Sequence, residues 1–483
     1  MSSAVTGTPT QIKTSCPTLA DLSGTPDDAF LEGEVGYVGS VRRYYQITRD
    51  TSLHASGTSI IPTFSGNGYW VALDISSDAW SYQPAWYIDA TNGSDENDGL
   101  TALTALKTWG EFRRRVRLVG VSMTVNILTD LTEGIVGVFE ALAAGLTLTI
   151  NGTPTVLVDA GAVTTFTDPV LTLGACARGT MTSGAVATFA PYVGKFLRTP
   201  ADKWAPILGV SGGGAPYLPF WSDNSFGGGM NTKPANNTQI DVVALTSVLT
   251  IQLVTLGDLV PYINYLAFTS GDFDKSASVT TSNDVNGATF FACSFEGSWS
   301  NGSDCYAIAC LLTGSGDVFL YEPVSFIGGG STRSILLLEG GRAAFQGFII
   351  NGGKLQVGNG SSPGFPQAVT VYSGLGLGVF ASAGNGIEVG AGAIITGATL
   401  YGASNGGYGI TVNYGGRVQV TAAPTITGTS GDLQFCGAAT AIPPLSGGAA
   451  VPAASALTTW AQWAAAPFSS KVVSYSNGSS LCI

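Results

Sequence analysis

Beyond about residue 120 the chain alternates short apolar runs with glycine- and asparagine-rich turns, and helical periodicity almost vanishes. Inside the runs, apolar and polar positions alternate with period two. Thr124-Val125-Asn126-Ile127-Leu128 and Leu146-Thr147-Leu148-Thr149-Ile150 are examples, and the pattern predicts strands with one buried face. The runs also repeat. Gly386-Ile387-Glu388-Val389 returns as Gly409-Ile410-Thr411-Val412 and then as Asp432-Leu433-Gln434-Phe435, at intervals of 23 residues, and Ile395 aligns with Val418 under the same shift. A shorter version, Val324-Ser325-Phe326-Ile327-Gly328-Gly329, returns 22 residues later as Gln346-Gly347-Phe348-Ile349-Ile350. Self-similarity at such a period marks a repeat architecture. The chain is therefore expected to be an all-β solenoid in which coils stack, alternate side chains fill the interior and glycines turn the corners.

Helical spacing survives near the start of this region. Leu106, Trp109, Phe112, Val116 and Val119 recur every three or four residues, which predicts a helix with one apolar face after an Asx-rich turn, with Thr104 as its cap. A solenoid has an open apolar end, and this helix is expected to be its lid. Residues 1–80 read as a separate small β module, with strands at Tyr44-Tyr45-Gln46-Ile47 and Tyr69-Trp70-Val71-Ala72-Leu73. Residues 81–123 supply the leading strand and capping helix, and 124–437 the coils. Residues 196–239 break the coil pattern with Trp204, Tyr217, Phe220, Trp221 and Phe226 among Gly and Pro, and are expected to form an elaborated loop. Residues 438–483 read as a Pro/Ala/Gly connector and a cap or oligomerisation segment. In it Leu457, Trp460 and Trp463 have helical spacing and Lys471–Tyr475 looks like a strand.

Two stretches resemble known families. The run from Leu19 to Leu73, with Gly36-Tyr37-Val38-Gly39-Ser40-Val41-Arg42-Arg43-Tyr44-Tyr45 and Gly68-Tyr69-Trp70-Val71-Ala72-Leu73, resembles short N-terminal modules of phage structural and tail proteins. That resemblance implies attachment to other tail or virion proteins through residues 1–80. Trp86-Tyr87-Ile88-Asp89-Ala90-Thr91-Asn92-Gly93-Ser94-Asp95-Glu96-Asn97-Asp98-Gly99-Leu100, followed by Ala105-Leu106-Lys107-Thr108-Trp109, is similar to the opening motif of many pectate-lyase-like β-helix proteins, phage tailspikes among them. This second resemblance implies a right-handed parallel β-helix, a homotrimer and contact with host surface polysaccharide.

Composition sharpens the picture. Charged residues make up 11% of the 483, against roughly a quarter in ordinary soluble domains, so Ser, Thr, Asn and the 66 glycines must supply the water-compatible surface. From 355 to 416 the only charged residue is Glu388, which is compatible with a wall buried against identical chains. A net charge of −12 argues against nucleic acid as a partner. The basic run Arg113-Arg114-Arg115 and Arg117 reads as a solvated helix face. No apolar run approaches the roughly 18 residues of a membrane span. The start Met1-Ser2-Ser3-Ala4-Val5-Thr6 lacks the regions of a secretory signal. The resemblances imply the surface of a virion or tail-like particle, and the start of the chain is read as synthesis in a bacterial cytoplasm without a signal peptide.

Candidate chemistry is sparse. The seven cysteines form no C-x-x-C pair and the single histidine is His54, so a zinc site is not expected, the thiols are expected to be buried and free, and no cofactor is expected. Placing Gly99 sixth in a calcium loop puts Ser94 first and Ala105 twelfth, which fails the ligand pattern and favours a structural turn. His54, beside Leu53, is read as structural. Glycan hydrolysis needs only two carboxylates. Asp272, Asp274, Glu296 and Asp304 are the candidates, against the reading that they are solvated loop residues. Non-catalytic glycan binding needs exposed rings. Trp204, Trp221, Phe226 and Trp299 are the candidates, against the reading that they pack the loop onto the coils. Three functions stay open: a glycan-contacting spike or fibre, a polysaccharide depolymerase of glycoside hydrolase type, and a purely structural decoration or baseplate subunit.

Overall fold

The structure, a computed structural model, describes residues 12–16, 19–24, 35–38, 43–48, 60–62, 69–72, 83–116, 118–141, 143, 145–167, 176–183, 185–221, 234–249, 251–256, 259–269, 280–281, 288–296, 305–314, 317–320, 324–337, 343–358, 376–390, 393–396, 400–413, 415–419, 424–436, 459–465, 472–474 and 480–482. It divides into two compact units, Met1–Gln83 with Arg114–Val121, and Pro84–Arg113 with Ser122–Ile483. In the first unit the strands Ile12–Cys16, Val35–Val38, Arg43–Thr48, Tyr69–Ala72 and Ile60–Pro62 form one sheet in that spatial order. The first pair is parallel and the others antiparallel. Ile47 pairs with Trp70, and both are fully buried with Tyr45.

The second unit is a parallel β-helix, right-handed as strand–crossover–strand units are. Its first wall stacks the strands Ala85–Ile88, Met123–Ile127, Thr147–Gly152, Val260–Asn264, Thr289–Phe291, Cys305–Ile308, Val324–Ile327 and Ala343–Gln346. The second wall runs from Thr246–Val248 to Thr425–Gly428, and the third from Val318–Leu320 to Gly431–Phe435. The 23-residue period is the coil repeat: Ile387 pairs with Ile410 and Ile410 with Leu433, and Ile395 pairs with Val418. Val318, Ile335, Leu355, Ile387, Ile410 and Leu433 form one interior column and are all fully buried. Each such side chain contributes about 1.5–3 kcal/mol of apolar burial. Aromatic rings stack in the same way, Phe268 on Phe295 at 5.1 Å and Phe326 on Phe345 at 5.4 Å.

The 22-residue repeat is corrected by this register. Val324 pairs with Ala343 and Phe326 with Phe345, a shift of 19 residues. The apparent match to Phe348 arises because Phe348 also packs on Phe326, at 4.9 Å, from the next wall. Corners obey a similar rule. Between the first and second walls the corner is left-handed: Tyr265, Ala292, Ala309, Gly328 and Gly347 have φ of 61°, 48°, 54°, 62° and 70°, and Gly329 follows Gly328 in the same conformation. Stacking, rather than glycine itself, imposes that conformation.

The lid differs in detail from its expectation. The helix spans Trp109–Arg115, and its cap is Thr108, whose Oγ1 accepts the Glu111 N–H at 3.0 Å. Thr104 instead ends a short 3-10 turn, Ala102–Thr104, capped by Thr101. Trp109 and Phe112 lie against Phe139 at 6.2 and 5.9 Å, and Phe112 against Trp86 at 5.4 Å. At the other end Trp460, in the helix Trp460–Ala465, donates its indole N–H to Ile426 O at 2.8 Å, and the hairpin Val472–Ser474/Ser480–Cys482 pairs with Arg417–Gln419.

The aromatic loop is a folded antiparallel sheet, larger than expected. It runs from Thr155 to Ala244, which pair with each other at its base. Its strands follow the spatial order Trp204–Pro206, Phe196–Arg198, Gln239–Ala244, Thr155–Thr167, Cys176–Ser183, Tyr217–Trp221. Period-two alternation is the same in a coil strand and a hairpin strand, so the boundary was invisible in the pattern. Thr246 closes the stem: its hydroxyl accepts the Thr153 N–H at 2.7 Å and donates to Thr153 O at 2.9 Å.

Two glycine substitutions separate strain from clash. Gly328→Ala adds a methyl in a column that already holds alanines, and is expected to cost about 1 kcal/mol. At Gly329 (φ 79°) an added Cβ would stand 2.2 Å from Cys310 O. Gly329→Ala is therefore expected to destabilise far more, read as a larger fall in melting temperature or failure to fold.

Candidate functional site

Side chains that leave the coil interior point outward from three walls, and the walls differ in what meets them. On the second wall the excursion covers the outward residues. Phe196, Trp204, Leu208 and Val243 pack with Ala292, Ala309, Leu311 and Ile349 in one buried cluster. Asn351 Nδ2 donates to Leu208 O at 2.9 Å. Trp204 is only 1% exposed, with its ring 4.8 Å from that of Tyr265 and its indole N–H on Asp202 at 2.7 Å. Its face is closed to a sugar, which corrects its candidacy as an exposed ring. Burial, and then the Asp202 carboxylate that accepts its hydroxyl, push the Tyr265 phenol up to about 12. Trp221 ends the strand Tyr217–Trp221 with its side chain outside the described residues, and Phe226 and Trp299 lie wholly outside them.

Among the candidate carboxylates, Asp272, Asp274 and Asp304 lie outside the described residues. Glu296 ends a second-wall strand, half-buried and paired with Thr313. Nearby, Arg333 is 6% exposed and its guanidinium donates to Thr313 O at 2.9 Å and Asp317 O at 3.0 Å. Burial pulls the guanidinium below its ordinary range, while the charges of Asp317 and Glu296 pull it back. Asp317 was not a candidate, because nothing in the sequence sets a lone aspartate apart; only the fold brings its charge and that of Glu296 to one arginine.

The third wall carries a polar row. Gln356, Glu388, Thr411 and Gln434 align, and Glu388 takes Lys354 Nζ at 2.8 Å and Asn385 Nδ2 at 3.0 Å. Its charge is thus engaged within the chain.

Among the described residues the first wall is open. Its outward row runs Thr124, Thr149, Tyr262, Thr289, Tyr306, Ser325, Ala344, each paired with the next. Tyr262 and Tyr306 are 39% and 40% exposed, although their strand neighbours Ile263, Cys305 and Ala307 are buried. Beside this row stands an amide ladder. Asn126 Nδ2 donates to Trp86 O at 3.3 Å, Asn151 Nδ2 to Asn126 Oδ1 at 3.5 Å, and Asn264 Nδ2 to Asn151 Oδ1 at 2.9 Å. Sequence reading missed these tyrosines. Strand parity marks each as outward, but only the register puts both in one row.

The Asx-rich turn is knit by its own carboxylates. Asp95 accepts the N–H groups of Lys107 and Thr108 and the Thr108 hydroxyl. Asp89 accepts Thr91 N, Asn92 N and Thr129 Oγ1 at 2.9–3.0 Å, and Asn92 Nδ2 at 3.2 Å. Burial works to raise the Asp89 carboxyl, but these donors outweigh it and hold it below the ordinary value of 3.8. Among the described residues no group of three His, Cys, Asp or Glu side chains is placed to hold a metal ion. Cys293, Cys305 and Cys310 are buried free thiols. Burial, and then its neighbour Cys293, push the Cys310 thiol well up.

No family model matches the chain, and no curated protein matches it. Among solved structures it is similar to the tailspike of Acinetobacter baumannii bacteriophage AP22 in complex with A. baumannii capsular saccharide. The identity is 8%, over 65% of this chain and 71% of that one, with a TM-score of 0.22. It is also similar to the tailspike of Pseudomonas phage phi297, at 13% identity over 70% of this chain and 75% of that one, with a TM-score of 0.18. A protein described as a glycoside hydrolase shows 10% identity over 73% and 94% of the two chains, with a TM-score of 0.19. Scores of this size carry no argument about site or substrate. No helix among the described residues is long and apolar enough to cross a membrane.

The turn makes a pH-dependent prediction. A carboxyl depressed by folding stabilises above its unfolded pKa, and that contribution is lost as pH falls through the folded value. Asp89→Asn is therefore expected to cost about 2 kcal/mol at pH 7. The deficit should shrink once pH drops below the ordinary value of 3.8, as read from melting temperatures across pH. Chelator treatment should leave the wild-type melting temperature unchanged.

Proposed function

We propose that this chain is a spike or fibre subunit of a phage tail or tail-like particle that touches host surface polysaccharide with the first wall of its β-helix. The observation that carries this reading is the outer row of that wall, where Thr124 to Ala344 present hydroxyls and two exposed rings without a charged side chain. Sugars offer hydroxyls and apolar ring faces, and such a surface answers both by hydrogen bonding and by stacking. The opening-motif resemblance supports the same reading, and the N-terminal one supports attachment to other tail or virion proteins through residues 1–80. The charge-poor stretch from 355 to 416 supports a homotrimer.

A second reading is hydrolysis of that polysaccharide by a pair of carboxylates, with Glu296 and Asp317 as the pair to test: Glu296 pairs with Thr313, and Arg333 donates to both Thr313 O and Asp317 O.

Binding is tested on an array of purified bacterial capsular polysaccharides and lipopolysaccharide O-chains. The expected result is selective retention of the full-length chain by at least one of them; retention by none would remove the glycan reading and leave a structural subunit. Light scattering should return three times 49.3 kDa, and a monomeric mass would remove the trimer. With a bound polysaccharide in hand, release of reducing ends that Glu296→Gln or Asp317→Asn abolishes would establish hydrolysis. No release from the wild type would leave binding alone.

A further inference from the structure

Resting on the glycan-contacting reading, we infer that the polysaccharide lies along the axis of the β-helix on Tyr262, Thr289 and Tyr306, with the two tyrosines as stacking subsites one disaccharide apart. Parity turns both rings outward, since Ile263 on one strand and Cys305 and Ala307 on the other are buried. Register places them in one row, because Tyr262 pairs with Thr289 and Thr289 with Tyr306. Parallel strands are spaced about 4.8 Å, so the two rings stand about 9.6 Å apart. That distance is comparable to the repeat of two linked pyranoses in an extended chain. Thr289 is too small to fill the interval, and leaves a shelf between the rings. The row continues through Thr149 on one side and Ser325 on the other, so a polymer can pass without meeting a bulky side chain.

The neighbouring amides supply direction. All three asparagines of the ladder donate toward the lid, from Asn264 to Asn151, from Asn151 to Asn126 and from Asn126 to Trp86 O. This head-to-tail order leaves Asn264 Oδ1 at the chain's end. The residue that follows in register is Phe291, whose side chain has no donor. Hydrogen-bonded chains polarise their end groups, so Asn264 Oδ1 is a strengthened acceptor two residues from Tyr262 on the same face. A sugar hydroxyl is the donor that fits it. No side chain in the tyrosine row carries charge, so the polymer contacted there is uncharged over that stretch.

The test compares wild type, Tyr262→Ala, Tyr306→Ala and the double variant on the polysaccharides that retain the wild-type chain, and on their disaccharide and tetrasaccharide fragments. Each single change is expected to weaken tetrasaccharide binding about tenfold and the double change about a hundredfold. The disaccharide spans one ring, so its loss should not be additive. Hydroxyl-radical footprinting should show both tyrosines protected by bound polysaccharide, and Tyr262→Phe with Tyr306→Phe should restore binding relative to the alanine pair. Undiminished binding by a folded double variant would overturn the site while leaving the glycan reading intact; a wild type that binds no polysaccharide would overturn that reading first. A variant that changes the light-scattering mass would show that the row joins copies of the chain, which also overturns the site.

Discussion

Parallel stacking in register is the constraint on which everything else depends. Each coil must place its strands about 4.8 Å above the last, because the backbone N–H and C=O groups of every coil are satisfied only by its neighbours. A residue therefore meets, above and below, the residue of the same parity in the adjacent coils. Like is laid on like: Ile387 on Ile410 inside the third wall, Phe326 on Phe345 inside the first, Asn151 beside Asn264 outside it. The corner obeys as well, holding Tyr265, Ala292 and Ala309 left-handed where glycine would be the unforced choice.

The same constraint leaves outer faces that have to be made compatible with their surroundings without much charge. The second wall meets this need by covering. The excursion from Thr155 to Ala244 has a core of its own, including Met181, Phe189, Ile207 and Ile240, and lays a second cluster over the outward residues of the coils. Tyr265, Trp204 and Asp202 lock that cover down. The third wall meets it with paired polar groups around Glu388, and the first wall with hydroxyls, amides and two exposed rings. An open, uncharged row on one wall beside a covered one on another is the asymmetry on which the proposed recognition surface rests.

Much of this was legible in the amino-acid sequence. Period-two alternation and the 23-residue repeat determined a stacked, strand-built solenoid, because side-chain burial in a strand follows parity and each coil must repeat what its neighbour presents. Of the residues with helical spacing, Trp109 and Phe112 fall on the lid helix, whereas Leu106 precedes it in a bridge to Ile88 and Val119 follows it in a strand.

Tertiary structure alone decided the rest. Alternation does not say which strand is the partner, so the shift of 19 residues from Val324 to Ala343, and the antiparallel pairing of Thr155 with Ala244, emerged only when the chain closed on itself. Trp204 reads as an exposed ring among glycines, yet the fold lays it on Tyr265. Tyr262 and Tyr306 are far apart in sequence and read as ordinary strand residues until two coils, stacked through Thr289, set them in one row. The sequence determines what each residue can bury or expose; long-range register determines what it faces, because that choice is made by backbone pairing between segments distant along the chain.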